Sequence, residues 1–251
     1  MYKKLGIVGH TGRIGSLIVE MINRKFSDRF NLDLSFYRND NPQSLLNKIY
    51  ENNDYVLDFS SSEITDKLLK AAKGNPKPTV ICTTGWDIES YTSKYLNDIA
   101  NYVPIVIAPN TSMGSCIQNY LSMQLAKFLD DSYDIDISEI HHRNKIDTPS
   151  GTAKDLSKSI QSIKIDHNVF EVLNKSRRQP KSICISSQRS GNVFGSHKVS
   201  FTNKDEVVSV EHQVFNREVF AKGAIKILLW LDTINPVPGI YSMINVLEIK
   251  N

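Results

Sequence analysis

The stretch His141-His142-Arg143-Asn144-Lys145-Ile146-Asp147-Thr148-Pro149-Ser150-Gly151-Thr152-Ala153-Lys154 gathers two histidines, an arginine and two lysines beside a proline-led helix start. Imidazole has an ordinary pKa suited to proton transfer near neutrality, so a histidine general acid is the first chemistry to consider. Lys145 would add a second proton or a positive charge. Pro149-Ser150-Gly151-Thr152 reads as a helix N-terminus, whose unpaired N–H groups make a site for an anion. An imidazole, a lysine and an anion site so close together suggest a substrate that carries carboxylates. Two plainer readings stand beside this one. The rings would be structural groups that are merely hydrogen-bonded, and Ser150 and Thr152 would form an ordinary cap, although a cap leaves their closeness to the basic cluster unexplained. Metal binding fits poorly: neighbours on an extended chain point to opposite faces, and no cysteine or acidic set completes a coordination sphere, so no metal is expected.

A second chemistry-bearing pattern lies near the N-terminus. The apolar run Leu5-Gly6-Ile7-Val8 leads into Gly9-His10-Thr11-Gly12-Arg13-Ile14-Gly15, with the spacing G-x-x-G-x-x-G. Ile14, Leu17, Ile18, Met21 and Ile22 then recur at the spacing of one helix face. Strand, glycine turn and helix is the arrangement that brings backbone close to a pyrophosphate and aims a helix N-terminus at it. Its plain alternative is an ordinary strand-to-helix turn. The second strand is read at Leu32-Asp33-Leu34-Ser35-Phe36-Tyr37-Arg38, ending without the acidic residue that would bond a ribose 2′-hydroxyl. A guanidinium at Arg38 matches a 2′-phosphate in charge and fork geometry, which favours NADPH over NADH. Against this stands Arg38 as a solvated charge at a strand end.

Both patterns need a scaffold. Tyr55–Phe59, Pro78–Cys82 and Ile105–Ala108 read as further strands, with Ser60-Ser61-Ser62-Glu63 a helix-capping signal after the first of them. Strands alternating with helices predict a doubly wound parallel sheet, with ligands beyond the carboxyl ends of its strands, where Thr83-Thr84-Gly85 and Asn110-Thr111 fall. From about Ser112 the pattern changes. A helix over 116–129 precedes the strict alternation of Tyr133–His141, and strands are read at Ser182–Arg189, His197–Thr202 and Val207–Phe215. Together these predict a second α+β domain with an open mixed sheet. Val208, Val210, His212 and Val214 share one face of the last strand, and His197 and His212 read as structural or interfacial. Phe220, Gly223, Ala224, Ile227, Leu228 and Leu231 mark a final apolar helix face.

Composition narrows the classes. The chain has 251 residues, 40% hydrophobic and 23% charged, as in ordinary globular proteins. Thirty basic against 27 acidic residues give +3, too weak a balance for a nucleic-acid-binding domain. Three well-separated cysteines (Cys82, Cys116 and Cys184) make neither a disulfide framework nor a zinc site. The N-terminal residues lack a signal-like apolar run, and no segment approaches the ~20 apolar residues that span a bilayer. A soluble, reduced, cytoplasmic protein is expected, with no membrane partner.

The segment Glu139–Ala153 meets every fixed position of E-x-H-H-x-x-K-x-D-x-P-S-G-T-A, and through it the chain resembles the 4-hydroxy-tetrahydrodipicolinate reductase (dihydrodipicolinate reductase) family. The resemblance runs the length of the chain. It takes in the glycine turn, the T-T-G and A-P-N loops, Arg189-Ser190-Gly191 with Gly195-Ser196-His197, and Arg217 with Phe220–Ala224. It implies reduction of (2S,4S)-4-hydroxy-2,3,4,5-tetrahydrodipicolinate by NADPH or NADH, with loss of water, in diaminopimelate and lysine synthesis. His141 would be proton donor and acceptor and Lys145 a second donor, while His142, Gly151 and Thr152 would bind the substrate carboxylates. Gly9, His10, Thr11, Gly12, Arg13 and Ile14 would hold the pyrophosphate. Cys82, Thr83 and Thr84, with Ala108, Pro109, Asn110 and Thr111, would line the nicotinamide side. The resemblance also implies a dinucleotide-binding domain over 1–112 and 218–251, a substrate-binding and oligomerisation domain over 113–217, and a homotetramer built on the second sheet. The crossings near Ser112 and Arg217 would then be a hinge. The sequence departs from the family pattern at Cys82, often glycine, and at Tyr37, often glutamate, and the second change strengthens the NADP preference. Rival readings are a semialdehyde dehydrogenase, for which Cys116 is a nucleophile without a supporting motif, and a dinucleotide-sensing regulator, which the weak net charge does not favour.

Overall fold

A computed structural model describes residues 2–36, 41–86, 95–171 and 177–249. The chain divides into two compact units, Met1–Met113 with Glu218–Asn251, and Gly114–Arg217.

The first unit is built on a six-stranded sheet, every pairing of which is parallel. Its strands are β1 (Lys3–Val8), β2 (Phe30–Asp33), β3 (Tyr55–Asp58), β4 (Thr79–Ile81), β5 (Pro104–Ile107) and β11 (Gly239–Ser242), in the order β11-β5-β4-β3-β1-β2. The strands are short apolar runs because helices cover both faces of a parallel sheet. Leu5, Ile7, Val8, Val56 and Leu57 have no exposed surface. Helix α1 (Arg13–Lys25) buries Ile18 and Ile22 of the stripe its spacing predicts, leaves Ile14, Leu17 and Met21 half-buried, and also buries Gly15. Helices α2 (Pro42–Asn52) and α3 (Ser62–Gly74) pack Leu46, Ile49, Tyr50, Leu68 and Leu69 into one cluster with Val56, Ile81 and Ile105. A short α4 (Asn97–Ala100) precedes β5. The strand order reverses between β1 and β3, so a crevice opens beyond their carboxyl ends.

The second unit begins with α5 (Met113–Phe128), most of which lies within it, and carries a mixed sheet in the order β10-β9-β6-β8-β7. Strand β6 (Asp134–His141) runs parallel to β8 (Ser182–Arg189) and antiparallel to β9 (Gly195–Thr202). The outer strands are β7 (Asn168–Glu171), parallel to β8, and β10 (Val207–Val214), antiparallel to β9. Along β6 every second residue is buried, and α6 (Gly151–Gln161) lays Ala153, Leu156 and Ile160 on Ile135, Ile137, Ile183, Ile185, Val199 and Phe201. The chain returns to the first unit through α7 (Glu218–Ile234), β11 and α8 (Met243–Val246). No helix among the described residues is long and apolar enough to cross a membrane.

Several local expectations change. The second strand ends at Asp33 rather than running to Arg38, and Tyr37 and Arg38 lie outside the described residues. The signal at Ser60–Glu63 starts a helix by position only: Ser61 caps it without a side-chain hydrogen bond, and Ser60 Oγ binds Asp58 instead. The helix expected from Cys116 starts at Met113. Two strands lack a clear sequence signal. β7 is too short for its period to register, and β11 follows a helix at the far end of the chain yet completes the first sheet beside β5. On β10, Val208, Val210, His212 and Val214 do share a face and are half-buried, while Ser209, Glu211 and Gln213 are exposed.

Candidate active site

In the first unit, the turn after β1 is shaped by backbone rather than by side chains. Gly9 sits at φ +88°, and a Cβ there would stand 2.4 Å from the Phe59 carbonyl oxygen. A Cβ on Gly15 would stand 2.2 Å from the Gly9 carbonyl oxygen, so only glycine lets α1 start this close to the turn. Helix α1 is capped by Gly12, which has no side chain to occupy the free N–H groups, and its first turn holds no acidic residue. A cavity of about 410 Å³ opens here, lined by Gly12, Arg13, Ile14, Phe59, Ser60, Cys82, Thr83 and Thr84. Close-approach glycines, an uncapped helix N-terminus, an arginine at its first position and a groove across the strand-order reversal together fit the diphosphate of a dinucleotide.

Six of the cofactor residues expected from the sequence (Gly12, Arg13, Ile14, Cys82, Thr83 and Thr84) line this groove. Gly9 forms the turn beneath it, Thr11 is exposed, and His10 is buried with Nδ1 3.3 Å from the Ile7 carbonyl oxygen. On the A-P-N loop, Pro109 is exposed and Ala108 buried. Asn110 Oδ1 accepts from the Ser112 N–H at 3.0 Å, and the Thr111 hydroxyl donates to the Phe220 carbonyl at 2.8 Å. Phe59 and Ser60 are lining residues that the sequence reading did not assign. Both follow β3, and the rule that ligands gather at strand ends would have found them. Under the groove, the buried Asp58 accepts from Ser60 N–H at 3.0 Å and from Thr65 Oγ1 at 2.6 Å. Burial raises its pKa despite these bonds. Thr83 Oγ1 accepts from Ser60 N–H at 2.9 Å, which ties the T-T-G loop to the end of β3. Cys82 is buried, and that burial pushes its thiol pKa well up, so it is no ready nucleophile.

In the second unit, His141 ends β6 and Glu139 lies two residues before it on the same face. Glu139 has no exposed surface, and its Oε2 contacts His141 Nδ1. Its Oε1 accepts from Arg189 Nη1 at 3.1 Å and from the Ser150 N–H at 3.3 Å. Burial alone would raise the Glu139 pKa, but the hydrogen bonds of Ser187 and Arg189 and the charge of His141 outweigh it, and the net shift is downward. Burial lowers the pKa of His141, with Lys145 and Arg189 acting the same way and Glu139 opposing them. His197 on β9 meets the His141 ring edge to face at 5.0 Å, and its Nε2 lies 3.0 Å from Ser150 Oγ. Burial first, then the charge of His141, brings His197 down to about 4, so this ring is neutral.

The loop after β6 carries Lys145 and leads into α6. Lys145 Nζ donates to both carboxylate oxygens of Asp147, at 2.7 and 2.8 Å. Ser150 caps α6 by accepting from the Ala153 N–H at 3.2 Å, and Gly151 opens the helix exposed, with open space where a Cβ would stand. No acidic residue occupies that first turn. His142 lies half-buried just past the strand, and Thr152 is half-buried on α6. The unit thus places a buried imidazole, an ammonium group and a positive helix end together, a combination suited to protonating a bound carboxylate compound. Glu139, His141 and His197 also hold potential metal-ligating atoms within 4.8 Å of one another, the triad of which the sequence reading saw only one member as functional. The Arg189 guanidinium already supplies the cation that Glu139 needs.

Comparison with known proteins bears on both units. The family model described as dihydrodipicolinate reductase, N-terminus, matches residues 3–111, and that described as dihydrodipicolinate reductase, C-terminus, matches residues 114–247. The chain is 41% identical to the 4-hydroxy-tetrahydrodipicolinate reductase of Chlamydia abortus over 95% of this chain and 96% of that one. It is 38% identical to the enzyme of the same name from Rickettsia rickettsii, over 98% and 99%. Among solved structures, a dipicolinate-bound dihydrodipicolinate reductase from Paenisporosarcina sp. TG-14 superposes with a TM-score of 0.76, covering both chains completely at 19% identity, a likeness of fold. An aspartate semialdehyde dehydrogenase II from Vibrio cholerae shares the fold more loosely, with a TM-score of 0.52 at 11% identity over 92% and 99% of the two chains.

Proposed function

The chain belongs to the dihydrodipicolinate reductase family, and on that premise we propose that it reduces (2S,4S)-4-hydroxy-2,3,4,5-tetrahydrodipicolinate to 2,3,4,5-tetrahydrodipicolinate, releasing water, in diaminopimelate and lysine synthesis. It is an oxidoreductase. The observation that carries the reading is the cluster on β6: an imidazole backed by a buried carboxylate, beside the exposed start of α6 and the Lys145 ammonium.

A reduced nicotinamide dinucleotide supplies the hydride when bound in the groove of the first unit, with Gly9 to Ile14 at its diphosphate. Cys82, Thr83 and Thr84, with Ala108 to Thr111, would hold its nicotinamide side. The rest of the chemistry belongs to the chain's own side chains. His142 and the Gly151 and Thr152 N–H groups hold the substrate carboxylates against the positive end of α6. His141 exchanges the proton that accompanies the hydride, and Lys145, released from Asp147, gives a second proton or stabilises negative charge. Net, one hydride and one proton enter and one water leaves, because a proton that Lys145 gives to the departing hydroxyl is returned by the C–H bond broken with it.

NADPH is the preferred cofactor on this reading, because Arg38 offers a guanidinium to a 2′-phosphate. The protein works in the cytoplasm as a homotetramer, assembled through the face of the second sheet that α5 and α6 leave open. The test of the reaction is oxidation of NADPH by the purified protein, supplied with the product of pyruvate and aspartate semialdehyde condensation. Turnover is expected, and none with either cofactor would sink the proposal.

A further inference from the structure

Resting on that reductase reading, we propose that Glu139, locked by Arg189, is the positioning carboxylate of the site: it takes the Nδ1–H of His141, leaves Nε2 as the nitrogen that exchanges the proton, and links the imidazole to the loop carrying Lys145.

Glu139 stands where the apolar alternation of β6 should continue. Ile135 and Ile137 precede it on the same buried face, and a third apolar residue would pack there without a desolvation cost. A buried carboxylate is instead retained, and each oxygen has a defined task. Oε2 contacts His141 Nδ1. An ionised carboxylate can only accept, so Nδ1 must carry the hydrogen, and the tautomer is set. Oε1 takes the Arg189 and Ser150 donors, which keep Glu139 charged and fixed in place. Beyond the ring, Gly195 on β9 faces Nε2: a Cβ there would stand 3.0 Å from that atom, so glycine keeps the reacting side of the imidazole clear.

Arg189 extends the same lock to the loop. Its Nε donates to the Lys145 carbonyl at 3.2 Å, and its Nη2 donates to the Asp147 carbonyl at 2.7 Å and to Thr148 Oγ1 at 2.8 Å. One planar guanidinium thereby connects the carboxylate behind His141 with the backbone of the residue that supplies the second cation. A lysine could match the charge but not the fork. The charged and titratable groups facing His141 are Glu139 from its own strand, Lys145 from the loop, Arg189 from β8 and His197 from β9. Loss of the Glu139 charge should therefore lower the pKa of His141.

The test uses the full-length protein and Glu139→Gln, which keeps the shape and removes the charge. In wild type, nitrogen-edited NMR of the His141 ring at neutral pH should show the Nδ1–H tautomer, with no substrate needed. In Glu139→Gln the tautomers should mix, the His141 pKa should fall, and kcat should drop about 10- to 100-fold while KM changes less than about threefold. Glu139→Asp should restore part of kcat. An Nε2–H tautomer in wild type would overturn the proposal, as would a Glu139→Gln protein with unchanged kcat and unchanged His141 titration. Should Glu139→Gln fail to fold, the wild-type tautomer decides alone. Absence of turnover by wild type with both NADPH and NADH is a separate result that defeats the reductase reading and leaves the ring measurement standing.

Discussion

At the scale of single residues, the site divides into groups that touch substrate and groups that hold them. His141 and Lys145 belong to the first kind on the proposed reaction, so His141→Gln and Lys145→Ala should each lower kcat at least ~100-fold, the usual size of a lost acid–base group. Steady-state rates on folded variants check this, and near-wild-type turnover in either would show that its role is misassigned. Arg38→Ala should raise the KM for NADPH while leaving that for NADH nearly unchanged, because only the phosphate-bearing cofactor loses a partner. An unchanged ratio of the two constants would remove the preference. The chemistry of His141, Lys145 and the start of α6 was legible in residue type and spacing alone. Arg189 was not, because its partners Glu139, Lys145, Asp147 and Thr148 lie 41 to 50 positions away along the chain.

At the scale of elements, the second sheet carries a pH-sensitive group that the reaction does not use. His197 on β9 is a neutral buried ring, brought from 6.5 to about 4 chiefly by burial. The folded form binds fewer protons than the unfolded chain between those values, so this ring's contribution is intact above about pH 6.5 and is lost as pH falls toward 4. The loss should reach at most about 3 kcal/mol. Urea midpoints measured from pH 7 to pH 4 should fall more steeply for wild type than for His197→Gln, and parallel curves would disprove the assignment. Among the elements themselves, the long strands were well marked: Ser182–Arg189 falls where its pattern says, and Tyr133–His141 is off by one residue. The elements without a marked period were not. β7 and β11 have four residues each and form only where a neighbouring strand offers a ladder of backbone partners.

At the scale of the whole molecule, the proposed homotetramer is a statement about the uncovered face of the second sheet. Asp136, Ser138 and Ile140 alternate with the buried residues of β6 and are at most partly covered within one chain, and Lys198 and Ser209 are exposed on the neighbouring strands. Sedimentation equilibrium should return about four times the mass of a single chain, and Ser209→Arg should shift it downward by placing a charge on that face. A monomer in wild type would remove the tetramer. The sequence by itself determined what depends on near neighbours: the glycine turn, the helix stripes, the alternation of β6, and the basic run from His141 to Lys154. Such features follow from backbone sterics and the period of each element, which act over a few residues. The tertiary structure alone decided that β11 completes the first sheet, and that Glu139, Arg189 and His197 surround His141. Those facts depend on which strands lie side by side, and strand order is set by burying both faces of each sheet at once, a condition no local stretch of sequence expresses.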